Sequence, residues 1–98
     1  MSKVKVTYYG LLQHIVGNRE NEYHVSDNTT VRDLLHLLVE RYGNEFKANI
    51  LTPDWQLHPL TVIQLNDHNI NEIDGLNTML MNNSELSIAV LAYLVSGG

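Results

Sequence analysis

The chain has 98 residues and a mass of 11.1 kDa, one small domain, with 44% hydrophobic and 17% charged residues, a globular balance. Without cysteine it can carry no disulfide framework, thiolate zinc site, cysteine-held iron–sulfur cluster or cysteine nucleophile. A net charge of −5 argues against nucleic acid and an anionic membrane surface; with no apolar run near the ~20 residues of a membrane span and no signal-peptide core, a cytoplasmic protein is expected.

Residues 3–9 alternate, with Val4, Val6 and Tyr8 on one face and Lys3, Lys5 and Thr7 on the other, which predicts a half-buried strand. Leu11, Leu12, Ile15 and Val16 then recur at helical spacing, and Gly17-Asn18 closes a helix of about two turns. Tyr23 and Val25 alternate within a second strand over 21–26. Thr30 is placed to cap the main helix, with Asp33 in the capping-box position. Val31, Leu34, Leu35, Leu38, Val39 and Tyr42 form one apolar stripe, and Gly43 is the stop.

Residues 44–60 hold both prolines and Trp55, and read as a long loop with about one helical turn; Trp55 is expected to cover the core edge. Residues 61–66 read as a strand with Ile63 and Leu65 on one face, followed by a turn over 66–69. Asp74-Gly75 and Asn82-Asn83 signal two more turns, on either side of residues 76–80. The continuous apolar run over 85–94 predicts a last, central strand buried on both faces. Four strands around one amphipathic helix imply an α+β fold, the helix packed on one face of a mixed sheet.

Autonomous chemistry is scarce. His14, His24, His36, His58 and His68 lie on separate elements with no i, i+4 pair, so they read as surface residues and no metal site is expected. Neither Glu20 with Glu22 nor Asp67 with Asp74 makes a convincing carboxylate pair, and no serine sits in a nucleophile elbow.

The C-terminus differs. Val95-Ser96-Gly97-Gly98 ends in two residues without Cβ atoms, a shape that can thread a narrow channel. A free carboxylate is ionised at neutral pH and a poor electrophile. It needs activation, as an acyl-adenylate made from ATP, before a sulfur or amine nucleophile can displace AMP. A frayed tail is the structural alternative.

With these residues in place, the chain resembles the MoaD/ThiS-like sulfur carriers and small archaeal modifier proteins, which share the ubiquitin-like β-grasp fold. The resemblance rests on Val4-Lys5-Val6, Ile15-Val16-Gly17, Thr30 to Leu35 with Glu40 to Gly43, Asn66 with Asn69-Ile70, Gly75-Leu76 with Thr78 and Leu80, Glu85 to Ile88, and Val95 to Gly98. Asp67 and Asn83 stand where the family has turn glycines, and Met79 where it often has proline. Ala92-Tyr93-Leu94 replaces a common Pro-Pro pair, and that segment is a couple of residues longer.

The resemblance implies one β-grasp domain over 1–98 with a flexible tail from about residue 94. It implies that Gly98 is adenylated by an E1-like adenylating enzyme using ATP and Mg, with no cofactor on the domain itself. A thiocarboxylate would follow, with a sulfurtransferase as sulfur source. The molybdopterin synthase large subunit is the implied partner in molybdenum cofactor biosynthesis. The second implied reading is a protein modifier joined through Gly98 to target-protein lysines. Leu91, Tyr93 and Leu94 beside the tail are expected either to meet the partner or, for Leu91 and Tyr93, to pack into the domain's own core.

Overall fold

The computed structural model describes residues 1–91. Strand β1 (Ser2–Tyr8) leads through helix α1 (Leu11–Val16) to β2 (Glu20–Val25), which returns antiparallel beside it. Helix α2 (Val31–Tyr42) and helix α3 (Asn44–Ile50) follow, then β3 (Thr61–Leu65), the short β4 (His68–Asn69) and β5 (Ser84–Val90). The sheet order is β2-β1-β5-β3-β4, with β1 and β5 parallel at the centre. The observed α+β architecture is the mixed-sheet one that the residue pattern predicts.

The register explains the core. Val4, Val6 and Tyr8 stand opposite Ser84, Leu86 and Ile88, and Ile63 and Leu65 pair with Ile88 and Leu86. These side chains share the inner face, and all but Ser84 form one cluster with Leu34, Leu35 and Leu38 of α2 and Phe46 and Ile50 of α3.

Helix α2 starts where its cap predicts. Asp33 N–H donates to Thr30 Oγ1 at 3.2 Å, and Thr30 N–H donates back to Asp33 Oδ2 at 3.0 Å. Those two bonds satisfy orphan donors of the first turn. Gly43 ends α2 at a φ of 86°, and its N–H reaches Val39 O at 2.7 Å.

Two departures from the sequence reading have clear causes. Residues 44–50 form a helix, not a loop with one turn, because Phe46 and Ile50 lie at i and i+4 and both bury against the sheet. The last strand ends at Val90, and only its inner face is buried. Outward-facing Glu85 is exposed and Ser87 and Ala89 are half-buried, because the core lies on one side of the sheet only. Positions 92–94 of that expected strand lie outside the described residues.

The family-level substitutions also find a reason. Asn66 and Asp67 form a two-residue turn between β3 and β4 at φ of 50° and 71°, and Asn83 sits at 67°. Glycine adopts such angles at no steric cost, and Asn and Asp are its nearest substitutes. Met79 sits at a bridge opposite Thr30 whose flanking bonds use Thr78 O and Leu80 N–H, so a proline would fit there.

Candidate functional site

The sequence reading expects the reactive group at the end of the chain. Of the expected site residues, Leu91 is described; Tyr93, Leu94, Val95, Ser96, Gly97 and Gly98 lie outside the described residues. The structure therefore defines the base from which the chain passes to residues 92–98.

Strand β5 brings the chain to that base between β1 and β3. Thr61 pairs with Val90, and Leu91 N–H then donates to Leu60 O at 2.8 Å. On the other side Tyr9 N–H donates to Ile88 O at 3.1 Å. Alternation turns Ala89 and Leu91 outward, away from the core face of Ile88 and Val90. In β3, Val62 is the direct neighbour of Ala89 on the outer face.

Val62, Ala89 and Leu91 thus make an apolar surface around the last bond of β5, and Tyr9 lines a neighbouring depression with Thr7, Asn66, Asp67, Glu85 and Ser87. Leu91 is 53% exposed and Tyr9 51%. Leu11, which the sequence placed in the apolar repeat of α1, is 55% exposed, while Leu12 and Val16 carry the burial of that helix. Leu91 does not pack into the core as Leu86 does, which is 1% exposed.

The same outer face is polar toward β2. Lys3 Nζ lies 3.7 Å from Glu22 and Lys5 Nζ 3.9 Å from Glu20, all on the outward side. These pairs are exposed and each is worth ~0–1 kcal/mol.

Three features escaped sequence reasoning. The hydroxyls of Tyr8, Tyr23 and Tyr42 form a chain, at 3.1 Å and 2.8 Å, linking β1, β2 and α2. Burial, and then the bond with Tyr42, pushes the Tyr23 hydroxyl up to about 12; burial pushes Tyr8 upward as well. In sequence these tyrosines read only as apolar positions. Trp55 packs on the core edge, as its surroundings predicted, but it also stacks on His36 with centroids 3.8 Å apart, and Lys47 Nζ lies 5.2 Å from its ring. Trp55 holds a φ of 62°, unusual for a bulky residue. Thirdly, a cleft of about 370 Å³ opens between the first turn of α2 and the segment before β3.

Among the described residues no group of three His, Cys, Asp or Glu could hold a metal ion, and no helix is long and apolar enough to cross a membrane.

Comparison with known proteins decides the family. The ThiS family model matches residues 6–98, from inside β1 through the diglycine end. The chain belongs to the ThiS family. Among solved structures, small archaeal modifier protein 1 from Methanosarcina acetivorans matches at 27% identity and TM-score 0.78, covering 100% of this chain and 98% of that one. A protein described as molybdopterin converting factor, subunit 1, from Pyrococcus furiosus matches at 20% identity and TM-score 0.74, covering 92% and 98%. The BexX/CysO complex from Amycolatopsis orientalis contains a chain similar at 22% identity and TM-score 0.75, with coverage of 97% and 99%. The last two likenesses establish the shared ubiquitin-like β-grasp fold. No curated protein matches this ThiS-family chain by sequence.

Proposed function

We propose that this ThiS-family protein is a cytoplasmic sulfur carrier whose reactive group is the Gly98 carboxylate. One observation carries the reading: the family match runs through Gly97-Gly98, and β5 delivers the chain to that segment beside an exposed apolar surface. The domain binds no cofactor of its own. An E1-like adenylating enzyme supplies MgATP, and the Gly98 carboxylate attacks the α-phosphorus to give the acyl-adenylate and pyrophosphate. A sulfide-equivalent nucleophile, delivered by a sulfurtransferase, then attacks the carbonyl carbon. The C–S bond forms, the C–O bond to AMP breaks, AMP leaves with the electron pair, and a thiocarboxylate remains.

Gly97, Ser96 and Val95 form the threading segment, and Leu91, Tyr93 and Leu94 meet the partner. Within this reading the protein is the MoaD-like small subunit of molybdopterin synthase, with the large subunit supplying catalytic groups. The likeness to the Pyrococcus furiosus protein supports that assignment.

A second reading has its own support in the 27% identity to the Methanosarcina acetivorans modifier. There the amine of a target-protein lysine attacks the same adenylate, AMP leaves, the amine loses a proton, and an isopeptide bond forms.

The test is intact-mass analysis after incubation with the organism's E1-like enzyme, MgATP and a sulfide source. Replacement of one oxygen by sulfur at Gly98, abolished by deleting Gly98, is expected. Failure to acquire sulfur, together with Gly98-linked lysines in digested lysates, would favour the modifier; neither product overturns both readings.

A further inference from the structure

In a chain with 11 acidic residues against six Lys plus Arg, the cleft of about 370 Å³ beside β3 presents a cationic side chain and no carboxylate. Arg32, Gln56, His58, Thr61 and Asn71 supply its polar wall, and no Asp or Glu lines it.

Its donors are uncommitted to internal carboxylates. Arg32 is half-buried, and among the described residues no carboxylate forms an ion pair with it. Neighbouring Asp33 spends its carboxylate on Thr30 N–H. His58 Nδ1 faces Leu60 N–H at 3.5 Å, which leaves Nε2 as the nitrogen that carries hydrogen in the neutral ring. A guanidinium, an imidazole N–H and two side-chain amides around one concavity form a donor set for an oxyanion, and Arg is suited to a carboxylate by its planar fork.

Position selects the occupant. Thr61, in the cleft wall, pairs with Val90, and Leu60 holds the N–H of Leu91. The cleft therefore lies at the end of the sheet from which the chain passes to Gly98. A protein that receives the C-terminal segment comes within reach of it, whereas a free metabolite has no reason to favour this end.

We propose that this cleft docks an Asp or Glu side chain of the adenylating enzyme, with Arg32 as its main partner and His58, Gln56 and Asn71 as flanking donors. The proposal rests on the functional reading above. The contact provides a second anchor, on the helix side of the sheet end, besides the apolar outer surface. It complements the chain's overall negative charge, which alone would repel an acidic enzyme surface.

The test is ATP–pyrophosphate exchange by the organism's own E1-like enzyme with the full chain. Arg32→Glu adds an acidic group to the first turn of α2, where the helix dipole favours one, so the fold should hold. It is expected to raise KM for the carrier about tenfold with kcat within about twofold, and Arg32→Gln to do so less. An enzyme Asp→Lys or Glu→Lys change that restores Arg32→Glu identifies the docked residue and supports the proposal. Unchanged KM for Arg32→Glu, with the wild-type chain active, overturns the dock and leaves the functional reading intact. No exchange with the wild-type chain overturns that reading, and the dock falls with it. Saturable binding of inorganic phosphate at Arg32, followed by NMR, without competition against the enzyme assigns the cleft to a small anion and overturns the dock.

Discussion

Leu91 is the described residue on which the functional reading bears most directly, and its replacement separates fold from function. Full burial of a leucine side chain is worth ~1.5–3 kcal/mol. Leu91 keeps 53% of its surface exposed, so less than half of that gain is realised in the folded chain. Leu91→Ala, which retains part of the contact, should therefore cost under ~1 kcal/mol of stability. Leu86→Ala on the inner face, from a side chain 1% exposed, should cost ~2–5 kcal/mol because a cavity remains. Urea titration followed by fluorescence of the single Trp55, which is stacked on His36, measures both. If the outer surface docks the adenylating enzyme, burial of the remaining half of Leu91 contributes ~1 kcal/mol to binding. Leu91→Ala should then raise KM in ATP–pyrophosphate exchange ~5-fold, and Leu91→Asp, which buries a charge, more than ~10-fold. A stability loss for Leu91→Ala equal to that of Leu86→Ala would make Leu91 a core residue. An unchanged KM for Leu91→Asp would remove this surface from the interface.

Four further outcomes follow from the geometry. Thr30→Ala removes one half of the capping box and should lower stability by ~1 kcal/mol, measured by thermal or urea unfolding. Asp33 is held below its ordinary value, chiefly by the hydrogen bond from Thr30 N–H and then by the Thr30 side chain; its contribution is present above the unfolded value of 3.8 and fades as pH falls through the folded one, and in Asp33→Asn this part of the acid dependence should vanish. For Tyr8 and Tyr23 the sign is opposite: the unfolded chain releases these protons near 10 while folded Tyr23 holds its own to about 12, so stability should fall from pH 10 upward, less steeply in Tyr8→Phe, which itself costs ~1 kcal/mol. Asp67→Gly relieves a φ of 71° and should stabilise the β3–β4 turn by ~0.5 kcal/mol, seen as a raised urea midpoint.

The legible parts of the fold are those whose signal is local. Helix α2 carries its cap, stripe and stop within residues 30–43, and all three are found in place. Strand β1 alternates because one face meets the core and the other meets solvent. Helix α3 was illegible because two apolar residues cannot define a period, and so short a helix depends on the sheet it covers. The apolar composition of β5 hid its one-sided burial, since Ala89 and Leu91 look the same in sequence whether they face a core or a partner. The tyrosine hydroxyl chain joins three elements far apart in sequence, and no spacing rule connects them. The Arg32 cleft required the approach of segment 56–61 to the first turn of α2, which no local spacing encodes.

The distribution of apolar residues over the two faces of the sheet bears on why the outer surface exists. The inner face needs its leucines, isoleucines and valines, because burying them stabilises the fold. Outward Tyr9, Val62, Ala89 and Leu91 gain only part of that burial, and an exposed apolar group at a sheet end adds risk of association. A surface tuned for stability or solubility alone would extend the Lys3–Glu22 and Lys5–Glu20 pattern along the whole outer face. Instead the Lys–Glu pairs stop toward β2, Glu85 at the start of β5 carries the outward charge of that strand, and Val62, Ala89 and Leu91 cluster around its last hydrogen bond. On the proposed function, that polarity would give a partner an orientation as well as a contact: apolar docking at the end of β5, charge at the other. With the Arg32 cleft behind the same end of the sheet, a partner gripping both surfaces would fix the orientation of the domain while it acts, on the proposed function, at the Gly98 carboxylate.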